Sequence, residues 1–150
     1  MANTCTSLYY HLVFSTKNRA TYLKPSIEQR VWAYMGGVAR VHKIVALQIG
    51  GIDDHIHALV KAQPNVSVSQ IAQFLKGDSS RWIHGTFPDL RGFGWQDGYG
   101  AFAVSKSNVN AVIHYIRNQR QHHKRTSFKE EYSNLLRING VECDERYLLG

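Results

Sequence analysis

Asp53-Asp54-His55-Ile56-His57-Ala58-Leu59-Val60 is the stretch whose reading decides the fold. Its period-two alternation is that of a β-strand. Successive strand side chains project to opposite faces, so His55 and His57 share one face about 7 Å apart, while Ile56, Ala58 and Val60 share the other. Just before it, Ile44 to Ile49 reads as a short strand and Gly50-Gly51-Ile52-Asp53-Asp54 as a turn. The two strands make a β-hairpin that ends near Ala62. Two imidazoles on one rigid ledge can share a metal ion. On so short a motif, ordinary strand histidines remain an open alternative.

Working outward, Ser7 to Ser15 is rich in aromatic and β-branched residues and runs into the basic loop Thr16-Lys17-Asn18-Arg19, which reads as a first strand and its exit. After Pro25, the residues Ile27, Val31, Tyr34, Met35, Val38 and Val41 recur at helical spacing, with Ser26 placed to cap the start. Ser67-Val68-Ser69-Gln70 has the form of a capping box, and the helix it opens carries Ile71, Leu75, Trp82 and Ile83 to a stop at Gly85. Gly77 inside it costs about 1 kcal/mol relative to alanine, so either the helix breaks there or something approaches its backbone. Trp95 to Val104 supplies another strand, with a bulge or bend at Asp97-Gly98-Tyr99-Gly100.

The order strand, helix, two strands, helix, strand predicts an α+β fold of the ferredoxin-like βαββαβ kind, an antiparallel sheet with helices on one face. A third long helix opens at Ser107-Asn108, buries Val109, Val112, Ile113 and Ile116, and ends in the basic His122-His123-Lys124-Arg125. A last helical segment is expected from Phe128 to Arg137, with a tail from Leu135 onward. The 150 residues suit one domain, 1–150.

Hydrophobic residues at 43% and charged residues at 19% exclude a disordered chain. A formal net charge of +7 makes a polyanion, nucleic acid first, the leading class of partner, though a generically basic protein fits the same number. Cys5 and Cys143, at opposite ends, suggest neither a disulfide framework nor a thiolate zinc site, and a reducing, cytoplasmic setting is the expectation. No leader pattern and no membrane-length apolar run is seen, so no membrane association is expected.

At 100° per residue on the third helix, Tyr115 falls roughly 110° from the centre of the apolar stripe and Gln119 about 40° from Tyr115. The two share a flank one turn apart, about 6 Å along the axis, where a hydroxyl and an amide oxygen can meet one ligand. A boundary aromatic and a solvated glutamine would occupy the same positions.

The Asp54-His55-Ile56-His57 strand, the segment Trp95-Gln96-Asp97-Gly98-Tyr99-Gly100-Ala101-Phe102, and a helix reading Tyr115-Ile116-Arg117-Asn118-Gln119 with His122-His123 beyond it occur here in one order and spacing. Together they resemble the single-tyrosine transposases of the HUH nuclease superfamily, close to the REP-associated tyrosine transposases. The resemblance runs from the first strand to Glu145-Arg146-Tyr147-Leu148-Leu149. One departure is visible, since many relatives have Pro where this chain has Asp53.

The resemblance implies a ferredoxin-like sheet with a C-terminal catalytic helix. It implies a DNA transposase that cleaves and rejoins single-stranded DNA at element ends through a 5′-phosphotyrosine, with recognition of a hairpin. Tyr115 would be the nucleophile, and His55, His57 and Gln119 would hold Mg²⁺ or Mn²⁺. Such a set suits a hard divalent ion acting as a Lewis acid on a phosphate. A homodimer is implied, with the site assembled within one subunit or between two. Because both histidines must be neutral to bind metal, cleavage is expected to fall off below about pH 6.5 unless the site depresses their pKa values.

Lys17, Arg19, Lys76, Arg81, Lys106 and Arg117 are candidates for phosphate contacts, and each equally fits a solvated charge. Trp95 and Tyr99 could stack bases or pack the sheet. His114, His122 and His123 are read as structural or phosphate-facing residues, because helical spacing does not place all three at one point. Two other functions stay open: a non-catalytic single-strand-binding module on the same scaffold, with no use for Tyr115, and a metallohydrolase that uses water and forms no covalent adduct.

Overall fold

The computed structural model describes residues 3–143. Strands β1 (Tyr9–Ser15), β2 (Val45–Ile52), β3 (His55–Lys61) and β4 (Gly100–Val104) form one antiparallel sheet in the order β2-β3-β1-β4. Helix α1 (Glu28–Val41) joins β1 to β2 and α2 (Val68–Thr86) joins β3 to β4, which is the expected βαββαβ frame. Helices α3 (Val109–Arg117), α4 (Gln119–His122) and α5 (Phe128–Ile138) follow. Among the described residues no helix is long and apolar enough to cross a membrane.

The sheet is covered on both faces, and the pleat decides what covers each. Leu12 and Phe14 of β1 and Ile56, Ala58 and Val60 of β3 face α1 and α2, and form one core with Val31, Met35, Ile71 and Leu75. On the other face Tyr9 and Leu59 pack with Val109 and Ile116 of α3, while Val13 and Phe102 pack with Phe128, Tyr132 and Leu136 of α5. The helices beyond β4 thus form a second layer, on the face that carries His55 and His57.

One row across the sheet explains how closely that layer approaches. Gly50 of β2 pairs with His57, His57 with Val13, and Val13 with Gly100 of β4. A Cβ on Gly50 would lie 3.0 Å from the Ile116 carbonyl of α3, and one on Gly100 would lie 2.9 Å from the Tyr132 hydroxyl of α5. The two glycines admit the helices against the sheet on either side of His57. Expected as turn and bend residues, they serve close packing instead.

Other expectations are corrected locally. The hairpin turn is shorter than five residues, because Gly50 to Ile52 continue β2. Asp53 takes φ of 37°, a left-handed conformation closed to proline, so the Pro-to-Asp departure changes the turn itself. Ser26 does not cap α1, whose cap position is Ile27 with no side-chain bond. Val41, assigned to the buried stripe, is 77% exposed. The Ser67–Gln70 capping box is present in full.

Gly77 neither breaks α2 nor has any atom within 4 Å of where a Cβ would sit. Only Gly100 to Val104 form the last strand, and Trp95 makes a single bridge to Thr16. Between them the carbonyls of Gln96, Asp97 and Gly98 turn inward to accept from the Lys76 ammonium. Leu135 and Leu136 belong to α5, with Leu136 buried, so no tail begins there. Residues 144–150, including the Glu145-to-Leu149 part of the resemblance, lie outside the described residues.

Candidate active site

β3 presents His55 and His57, both fully buried, to the second helical layer. The outward ring nitrogen of each is engaged. His55 Nδ1 lies 2.8 Å from Asp54 Oδ1, and His57 Nδ1 lies 2.8 Å from His11 Nε2. His11 sits on β1 opposite Leu59, diagonal to His57 on the same face. Both Nε2 atoms are thereby aimed at one point, the arrangement that orients histidine ligands.

At that point stands Glu131 of α5, 2% exposed. Its Oε1 is 3.0 Å from His57 Nε2, 3.3 Å from His55 Nε2 and 3.1 Å from His123 Nε2. Its Oε2 accepts from the Tyr115 hydroxyl and, at 3.0 Å, from Gln119 Nε2. Gln119 Oε1 in turn lies 3.0 Å from His55 Nε2. The four residues expected at the site, His55, His57, Tyr115 and Gln119, therefore meet within a single chain, around a carboxylate that sequence reasoning missed.

The helix that brings Tyr115 and Gln119 is not continuous. Asn118, at φ −99° and ψ 23°, ends α3, and α4 restarts at Gln119. His122 and His123, seven and eight residues after Tyr115, fall on the same helical flank as Tyr115 and Gln119 and turn to the carboxylate while His114 does not, so the three histidines do not all meet at one point, as helical spacing predicted. His123 reaches Gln119 and Glu131, and His122 Nε2 lies 3.5 Å from Glu131 Oε2. His114 stays outside, bonded to Asn118.

The electrostatics follow from burial set against these contacts. Burial disfavours charge on His55, but its bonds to Asp54 and Glu131 outweigh this and raise its pKa to about 9. For His57 burial dominates over Glu131 and the pKa is lowered. Burial and the neighbouring His57 lower that of His11 to about 3, which leaves it a neutral partner. Burial opposes the Glu131 charge as well, yet the bonds from His123, His55 and His57 hold its carboxyl well below the usual range. Burial, followed by the Glu131 charge, pushes the Tyr115 phenol up, so this arrangement holds it protonated. The two histidines therefore do not titrate alike.

As ligands, His55, His57 and Glu131 offer one atom each, all within 4.8 Å of one another, with the Gln119 amide oxygen beside them. Two imidazoles and oxygen donors suit a divalent cation.

Of the residues proposed to contact phosphate, Lys17, Lys106 and Arg117 are exposed and Arg19 is half-buried. Arg117 also bonds Gln48 at 3.0 Å. Arg81, with 82% of its side chain exposed, projects from α2, behind the sheet from the histidines. Lys76 is committed to three backbone carbonyls and burial lowers its pKa, so the expectation that it meets phosphate is corrected to a structural role. Trp95 is buried, edge-on to Phe14 and Phe93 and bonded to Ser79, which makes it a packing residue.

The missed residues had faint signals. Phe128, Glu131, Tyr132 and Leu136 form one helical stripe, so Glu131 is a carboxylate on an apolar face, and His11 is an imidazole within a largely apolar strand.

This order of elements and residues can be set beside known proteins. A family described as "Transposase IS200 like" matches residues 4–119, which include the histidine strand, Tyr115 and Gln119. The chain belongs to the IS200-like transposases. It is thus a single-tyrosine transposase of the HUH superfamily, as the resemblance implied. It is similar to the transposase for insertion sequence element IS200 of Salmonella typhimurium, 30% identical over 130 residues that cover 83% of this chain and 84% of that one. It is also similar to the ISDra2 transposase TnpA of Deinococcus radiodurans, 25% identical over 117 residues, with 75% and 84% covered.

Among solved structures, a crystal structure described as that of a transposase from Deinococcus radiodurans aligns with a TM-score of 0.67 at 25% identity, covering 79% of this chain and 95% of that one. A REP-associated tyrosine transposase bound to a REP hairpin aligns with a TM-score of 0.57 at 14% identity, covering 82% and 74%, and shares the fold.

Proposed function

We propose that this transposase cleaves and rejoins single-stranded DNA at the ends of a mobile element through a covalent bond to Tyr115. The observation that carries the reading is the convergence of the Tyr115 hydroxyl, the Nε2 atoms of His55 and His57, and Gln119 on one buried carboxylate. Tyr115 Oη gives up its proton and attacks the scissile phosphorus, and the P–O3′ bond breaks, its electron pair leaving with the 3′-oxygen, which takes up a proton in turn. The products are a 5′-phosphotyrosine and, once that oxygen is protonated, a 3′-OH. The stored phosphodiester lets a 3′-OH attack in the reverse sense, so rejoining needs no nucleotide cofactor.

His55 and His57 would hold Mg²⁺ or Mn²⁺, with Gln119 and Glu131 as the oxygen donors at hand. The chemistry supplied by a divalent cation held there would be Lewis acidity toward a phosphate oxygen. Asp54 and His11 keep the two imidazoles turned to that point. Because all four site residues meet within one chain, a homodimer would serve to hold two DNA ends rather than to complete either site. The exposed Lys17, Lys106 and Arg117, and the half-buried Arg19, would contact phosphates, in line with a net charge of +7. That a fold relative is described as bound to a REP hairpin supports a hairpin as the element's recognition feature.

The test is incubation with single-stranded DNA spanning the element ends, in Mg²⁺ or Mn²⁺, followed by denaturing separation. A protein–DNA adduct that maps to Tyr115 and is lost in Tyr115→Phe is expected. Cleavage retained in Tyr115→Phe, or cleavage without an adduct, would sink the reading in favour of a water-using metallohydrolase.

A further inference from the structure

The proposed chemistry uses a metal on one side and a tyrosine on the other, and one residue touches both. We propose that Glu131 links the two halves of the site, one carboxylate oxygen serving as a ligand of the cation held by His55 and His57 and the other holding the Tyr115 hydroxyl in line for attack. This rests on the reading of Tyr115 as the nucleophile.

The geometry divides the carboxylate cleanly. Oε1 faces the Nε2 atoms of His57 at 3.0 Å and of His55 at 3.3 Å, the atoms that a shared cation would engage. Oε2 accepts from Tyr115 and Gln119. A carboxylate buried in this way is costly unless its oxygens are fully used, and both are. Its position is not incidental either. Phe128, Tyr132 and Leu136, on the same stripe of α5, pack on Val13 and Phe102, and Gly100 leaves room for Tyr132. The sheet therefore seats α5 at the height that puts Glu131 beside His57.

A hydroxyl held by a ligand oxygen is tied to the metal centre within one side-chain length, which sets the nucleophile near the phosphate that the cation engages. Ligand and positioning roles are separable by experiment. Mn²⁺ binding to the full chain is measured by calorimetry and by the loss of free-Mn²⁺ paramagnetic resonance, for wild type, Glu131→Gln and Glu131→Asp. Adduct formation is then timed at saturating Mn²⁺ on single-stranded DNA spanning the element end. Glu131→Gln, nearly isosteric, is expected to weaken Mn²⁺ binding by about 10- to 100-fold. Its adduct formation stays at least about tenfold slower when Mn²⁺ saturates, because the amide does not hold the phenol as the carboxylate does.

Unchanged Mn²⁺ affinity overturns the ligand role, and a full rate at saturating Mn²⁺ overturns the positioning role. A faster rate shows Glu131 to be a plug and overturns both. Thermal melts in chelator separate misfolding from these outcomes. If Glu131→Gln does not fold, Glu131→Asp, which shortens the reach and keeps the charge, carries the same two measurements. Absence of any Tyr115 adduct in wild type overturns the parent reading and the positioning role with it, while the Mn²⁺ titration still decides the ligand role.

Discussion

The two faces of one sheet are built from the same strands and have opposite characters. Toward α1 and α2, β1 and β3 present Leu12, Phe14, Ile56, Ala58 and Val60, an apolar core with the half-buried Tyr10 at its edge. Toward α3 to α5 the same strands present His11, His55 and His57, which meet Glu131, Gln119 and Tyr115 from the helices. A pleat that alternates every residue lets one strand serve both purposes. Apolar burial on the first face can meet the cost of a crowded polar cluster on the second, where buried charge contributes little net stability. Stability and chemistry should therefore respond to different substitutions.

The largest effect is expected on the polar face. Tyr115→Phe should lower adduct formation by at least about 10³-fold, since no other group replaces the nucleophile, and leave thermal stability nearly unchanged. A quantitative adduct assay beside a melting curve checks both halves, and a large stability loss would blur the separation of the faces. The mirror experiment is Phe14→Ala on the apolar face, where Phe14 is fully buried and edge-on to Trp95. A loss of about 3–5 kcal/mol is expected in denaturant unfolding, with the adduct rate per folded molecule retained. A site that fails in step with stability would show the faces to be one unit.

The pH response sharpens the contrast, because it should come from the polar face. With metal removed by chelator, His55, raised from 6.5 to about 9, stabilises the fold fully below pH 6.5 and loses that contribution as pH rises toward 9. His11, lowered from 6.5 to about 3, stabilises above pH 6.5 and loses its contribution as pH falls toward 3. Melting temperature should therefore peak near pH 6.5. His55→Gln should flatten the alkaline limb, and an unaltered limb would remove His55 as its source. The smallest effect belongs to the exposed cap at the start of α2. Ser67→Ala removes the capping-box acceptor and should cost about 1 kcal/mol with no change in adduct formation.

Much of the first face was legible in the sequence, because its determinants are local. The alternation of His55 to Val60, the stripe of α2 and its capping box depend on neighbours within a few residues, and each reads correctly from spacing. Reading failed where a distant partner decided. Gly50 and Gly100 looked like turn residues and are landing sites for Ile116 and Tyr132. Lys76 looked like a free cation and is bound by carbonyls twenty and more residues on. The break at Asn118, where α3 ends and α4 begins, is invisible to a periodic reading.

By itself the sequence determined the βαββαβ order, the face shared by His55 and His57, and the spacing that put Tyr115 and Gln119 on one flank, since strand and helix periods follow from backbone geometry. Only the tertiary structure decided that these meet in one chain, that His11 and Asp54 turn the imidazoles, and that Glu131 stands between the two imidazoles and the Tyr115 hydroxyl. The contacts of His57 with His11 and with Glu131 join residues 46 and 74 positions apart. Strand register and helix docking, not local spacing, bring them together.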